Sequence, residues 1–177
     1  MWNLVNLGRN VFINKIRHFG GTFVGVGNKG VLVKSNDGIN WDIYSSETIM
    51  DLNDIFYSNK KYIFVGGMGT IIVSNDLRKF RSVNIGTLNS LNSIHYGKGT
   101  FIIVGDNGKL MTSLDGINWT ERNSGTKNDL NDVIYSNNFF IAVGSNGTLM
   151  TSKHGRKWRT RTTKLKSDLT SVISFNY

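Results

Sequence analysis

The chain has 177 residues, with 21 Lys and Arg against 12 Asp and Glu for a net charge of +9, and it contains neither cysteine nor proline. Lack of cysteine excludes disulfide frameworks and thiolate metal centres. No apolar run approaches membrane-spanning length, and the opening MWNLVNLGRN lacks the basic-then-apolar profile of a signal peptide.

In chain order, residues 1–12 read as a single outer-type strand around Trp2. From Ile13 onward the sequence repeats every 39 residues without insertion, in units 13–51, 52–90, 91–129 and 130–168. The columns are plain: Trp2, Trp41, Phe80, Trp119 and Trp158; Ile13, Leu52, Leu91, Leu130 and Leu169; Asn14, Asn53, Asn92 and Asn131. Units 91–129 and 130–168 agree at 18 of 39 positions, which chance composition does not produce.

Within the unit 52–90, NDIFYS, KYIFVG, GTIIVS and FRSVNI are runs of β-branched and aromatic residues separated by Asn-Lys, Gly-Met and the stretch Asn75 to Lys79. They predict four short antiparallel strands. Gly27, Gly66, Gly105 and Gly144, at the first position of the second turn, are expected to supply a positive φ. The last segment, 169–177, predicts one inner-type strand. Four-stranded repeats of this size predict an all-β fold, a β-propeller of four 39-residue blades plus an incomplete fifth formed by the terminal strands 1–12 and 169–177, in a single domain spanning 1–177. A β-solenoid or open β array is the rival.

The turn between the third and fourth strands carries the motif with a known counterpart. Ser35, Asp37, Gly38 and Trp41, and again Ser113, Asp115, Gly116 and Trp119, resemble the Asp-box of BNR-type propellers, found in sialidases, sortilin-like receptors and photosystem assembly factors. Ser74, Asp76 and Phe80 have Leu77 in place of glycine; Ser152, Gly155 and Trp158 have His154 in place of aspartate; all four are one residue shorter between Asp and Gly than the commonest box. The resemblance implies a structural turn, its carboxylate accepting backbone N–H groups and its aromatic ring packing between strands.

It also raises sialidase chemistry, which needs an arginine triad, a Tyr–Glu pair and an acid, or more generally two carboxylates facing across a glycosidic bond. Only Glu47 and Glu121 are glutamates, and Tyr57, Tyr96 and Tyr135 share one repeat column as packing residues. No catalytic set, metal set or cofactor is therefore expected; His18, His95 and His154 have no ligand spacing.

Two features are candidates for binding. Asn14, Asn53, Asn92 and Asn131 form a possible polar ring about a central channel, or else satisfy backbone groups at the strand entries. Lys153, Arg156, Lys157, Arg159, Arg161, Lys164 and Lys166 fall within fourteen residues and form a possible polyanion patch. No element for reading nucleic-acid sequence accompanies them. The expectation is a non-enzymatic binding or assembly module with a protein partner or self-association, in a cytoplasmic or virion-associated setting without membrane insertion. A lectin-like adhesin for glycans or anionic wall polymers is the alternative, and a glycoside hydrolase a distant one.

Overall fold

Apolar runs separated by short turns close into hairpins, and three such connections in succession make a sheet. The computed structural model describes residues 11–174 and contains four antiparallel four-stranded sheets, each formed by strands consecutive in the chain. The first holds β1 (Ile13–Phe19), β2 (Thr22–Gly27), β3 (Val31–Ser35) and β4 (Asp42–Ser45). The second holds β5 (Leu52–Ser58), β6 (Lys61–Gly66), β7 (Ile71–Ser74) and β8 (Arg81–Ser82). The third holds β9 (Leu91–Gly97), β10 (Thr100–Gly105), β11 (Leu110–Ser113) and β12 (Thr120–Glu121). The fourth holds β13 (Leu130–Ser136), β14 (Phe139–Gly144), β15 (Thr148–Ser152) and β16 (Arg159–Arg161).

The first connection of each sheet is a two-residue turn with positive φ at both positions, 53° and 60° at Asn59 and Lys60, 49° and 64° at Asn137 and Asn138. Its backbone twist matches that of the strands it joins. The second connection corrects the sequence expectation. Gly27, Gly66 and Gly105 are extended, with φ of −163°, −169° and −168°, and the positive φ falls three residues later, between 66° and 69° at Gly30, Gly69, Gly108 and Gly147. The earlier glycines are needed for space. A Cβ on Gly66 or Gly144 would lie 2.0 Å from the carbonyl oxygen of Asp51 or Asp129, where the chain enters the inner strand.

Alternate residues of each second strand face opposite neighbours. Ile63 and Val65 pack forward against Phe101 and Ile103, while Phe64 packs back against Val24 and Val26; Ile102 and Val104 pack forward against Phe140 and Ala142. Phe64, Phe101 and Phe140 are fully buried, each contributing about 2–3 kcal/mol through removal from water. Among the described residues the rear face of the first sheet lacks this cover: Ile16 is 47% exposed, where its equivalents Ile55, Ile94 and Val133 are 0%.

The sheets are also tied by polar bonds at their inner strands. The Nδ2 of Asn14 donates to the Leu52 carbonyl at 3.0 Å, Asn53 to Leu91 at 3.0 Å, Asn92 to Leu130 at 3.1 Å and Asn131 to Leu169 at 3.0 Å. One residue further along, the buried Asp54 accepts Ser93 Oγ at 2.9 Å and Ile94 N–H at 3.0 Å. Asp132 accepts Ser171 Oγ at 3.1 Å and Val172 N–H at 3.0 Å in the same manner. Ser93 Oγ also lies 2.8 Å from Asp132 Oδ1. Arg17 completes the centre with a bidentate pair to Asp54, at 2.8 and 2.7 Å.

The predicted strand from Leu169 has no ladder among the described residues, because no second strand runs beside it; it nevertheless contacts the fourth sheet as Leu91–Ile94 contact the second. The outer strands are shorter than predicted, β8 ending at Ser82 with one further bond from Val83 N–H to the Ile71 carbonyl at 2.9 Å. Trp2 and the rest of residues 1–10, and Phe175, lie outside the described residues.

Candidate functional site

The turn between the third and fourth strands of each sheet is built by a repeated set of hydrogen bonds. Ser35 Oγ accepts Gly38 N–H at 2.8 Å, Asp37 Oδ1 accepts Ile39 and Asn40 N–H at 2.8 Å each, and Trp41 Nε1 donates to the Gly38 carbonyl at 3.2 Å. Ser113, Asp115 and Trp119 repeat this with Gly116, Ile117 and Asn118. Ser74 and Asp76 do so with Leu77, Arg78 and Lys79, and Phe80 packs on Phe64. In the fourth turn Ser152 accepts Gly155 N–H and Trp158 Nε1 donates to the Gly155 carbonyl, both at 2.9 Å. Backbone N–H donors hold the carboxyls of Asp37, Asp76 and Asp115 below the usual carboxylate range, led by those of Asn40, Lys79 and Asn118. These carboxylates are turn-formers.

Beside the fourth turn the structure gathers much of the basic run into one concave surface. A groove of about 850 Å³ lies between the third and fourth sheets, lined by Lys98, Thr100 and Leu114 on one side and by Phe139, Thr151, Lys153, His154, Arg156, Lys157, Arg159 and Arg161 on the other. Six cations line it and no carboxylate does; among the described residues none of the six forms an ion pair. Lys164 and Lys166 are exposed but do not line it. A smaller cleft of about 280 Å³ adjoins it, sharing Thr100, Leu114 and Arg156 and adding Arg122 and Asp115. Lys153 Nζ sits over the Phe139 ring, 5.8 Å from its centroid. Converging like charges with no counter-ion raise the local potential and favour an anionic ligand.

Sequence reading found the basic run but not Lys98, Arg122 or Phe139, which join the groove from other segments of the chain. The four asparagines are brought to the inner strands, where Asn14, Asn53 and Asn92 each spend one amide donor on the next sheet and Asn131 spends one on Leu169. Asp54, Ser93, Asp132 and Ser171 were missed, although they stand at one repeat position. His95 lies beside them, its ring 4.7 Å from that of Phe56 and its buried Nδ1 without a hydrogen-bond partner. Burial, reinforced by the Arg17 charge, pushes its imidazole down to about 4. No group of three or more His, Asp or Glu suited to a metal ion occurs among the described residues. No helix among them is long and apolar enough to cross a membrane.

No protein-family model and no curated protein sequence matches the chain. Among solved structures it is similar to YCF48 bound to a D1 peptide, at 14% identity and a TM-score of 0.64 over 89% of this chain and 55% of that one. It is also similar to YCF48 from Cyanidioschyzon merolae, at 15% identity and a TM-score of 0.69 over 97% of this chain and 66% of that one. The likeness establishes a β-propeller fold, and the chain spans between about half and two thirds of the length of these propellers.

Proposed function

We propose that this chain is a non-enzymatic propeller module of the Asp-box kind that binds a protein partner by an acidic segment seated in the groove between its third and fourth sheets. The observation that carries the reading is the groove itself: six cations, no lining carboxylate and a concave shape. The YCF48 structure holding a D1 peptide supports a peptide as the kind of ligand such a fold accepts. The box carboxylates are taken up by turn N–H groups and those of Asp54 and Asp132 by bonds at the inner strands, which supports the non-enzymatic reading. The hydrogen bonds of Ser35, Asp37 and Trp41 support the Asp-box assignment.

The test is fluorescence anisotropy with labelled acidic peptides, neutral isosteres and glycan oligomers, at low and high salt. Acidic peptides should bind, neutral ones should not, and affinity should fall with salt. Arg156→Glu with Arg159→Glu should abolish binding while leaving the unfolding midpoint unchanged. Salt-independent binding of a glycan would replace this reading with the lectin-like one.

The exposure of Ile16, together with that of Phe12 at 67%, favours a second mode of contact, self-association through the first sheet's rear face. Sedimentation velocity should then show a reversible dimer that Ile16→Lys dissociates, and a concentration-independent monomer would exclude it.

A further inference from the structure

Resting on the acidic-segment reading above, we infer that the ligand is an extended peptide crossing both clefts, its two carboxylate groups captured by two pre-oriented guanidiniums, Arg122 and Arg161. Arg122 Nε donates to Thr112 Oγ1 at 3.0 Å, and Arg161 Nε donates to Thr151 Oγ1 at 2.9 Å. The two pairs occupy the same repeat position in adjacent sheets. In the first and second sheets those places hold Lys34 with Tyr44 and Val73 with Val83, so the tether occurs in the two sheets that bound the groove. A guanidinium whose Nε is already bonded presents its Nη1 and Nη2 end, two donors in one plane that match the two oxygens of a carboxylate.

Arg122 lines the smaller cleft, Arg161 the larger and Arg156 both, so cations run through the two clefts; the Asp115 carboxylate that also lines the smaller one is taken up by Ile117 and Asn118. Leu114, 67% exposed, also lines both and offers an apolar contact between the charged ends. The aromatic ring in the groove, Phe139, has Lys153 over one face, and that face is not free to stack a nucleobase. β12 and β16 are the terminal strands of their sheets, and their open edges suit an extended polypeptide. The recognised chemistry is therefore a peptide with two acidic groups flanking an apolar residue.

The experiment compares one labelled peptide bearing two acidic clusters around a leucine with a second in which one cluster is changed to Gln. On the first, Arg122→Lys and Arg161→Lys should each weaken binding about tenfold, the worth of one bidentate pair. Thr112→Val and Thr151→Val, which remove the tether and keep the charge, should weaken it without changing the slope of affinity against salt. On the second peptide one of the two Arg→Lys effects should vanish. Circular dichroism melts of all four variants should match the parent. If Arg122→Lys is silent on both peptides while Arg161→Lys weakens binding, the ligand stays in the larger groove and the two-cleft track is wrong, with the groove reading intact. Tether variants whose salt slope falls with their affinity would overturn the positioning role of the threonines. Binding of neither peptide by the parent protein would overturn the groove reading itself.

Discussion

At Leu77 the backbone takes a φ of 61°, a conformation that the other three box turns give to Gly38, Gly116 and Gly155. A left-handed leucine costs about 1–2 kcal/mol, and its side chain offsets this by packing at 8% exposure in the cluster that contains Val24. At Gly116 and Gly155 there is no room. A Cβ on Gly116 would stand 2.3 Å from Ile63 Cδ1, and one on Gly155 would stand 2.4 Å from Ile102 Cδ1. Val24 occupies the column of Ile63 and Ile102 and lacks that terminal methyl. Gly116→Leu should therefore destabilise by about 2–5 kcal/mol, from overpacking and strain together. Ile63→Val in the same chain should restore about 1 kcal/mol or more, read as a non-additive double-mutant cycle in urea; strict additivity would refute the account. The box Ser, Asp and aromatic residues were legible in the sequence because their hydrogen bonds close within a few residues. The leucine's tolerance was not, because it is decided by a side chain in the preceding sheet.

Between sheets, residues at one repeat position stack in order: Arg17 Cζ lies 5.5 Å from the Phe56 ring centroid, and Phe56 lies against His95. His95 is half-buried and neutral, near the charges of Arg17, Asp54, Asp132 and Lys15. An unfolded histidine binds its proton near pH 6.5 and the folded one near 4. The unfolded state therefore takes up the proton first, and stability falls as pH drops through that window, by on the order of 3 kcal/mol in all. The box carboxylates lie on the other side of the scale: held below 3.8, they stabilise above that value and lose their contribution only beneath it. Urea midpoints at pH 7, 5.5 and 4.5 should fall steadily for the parent and much less for His95→Leu; parallel profiles would remove His95 as the cause. The strands themselves were readable from alternation. The stack was not, because Arg, Phe and His have no common type, and only their shared register makes them neighbours.

Across the whole molecule, the period of 39 gave sheet number and order directly, since each unit is one sheet and each sheet packs on the next in sequence. Charge did not distribute by that period: the cations gather where the third and fourth sheets meet, and only folding brings Lys98 and Arg122 to the basic run. The inner position that reads Asp54, Ser93, Asp132 and Ser171 does not follow it either, because acceptor and donor alternate. From Asp54 to Ser171 the pattern at the centre therefore repeats every two units, or 78 residues, with Lys15 of the first sheet outside it, and an added unit keeps the alternation only if it brings the matching residue. A chain in which residues 52–129 are duplicated keeps every aspartate beside a serine and should melt near the parent temperature. Duplicating 52–90 alone seats two aspartates against each other in a buried place and should melt well below it, until the aspartate of the inserted copy is changed to serine. Growth of such a molecule by gene duplication would accordingly leave a two-beat record in its centre even where its surface had drifted beyond recognition.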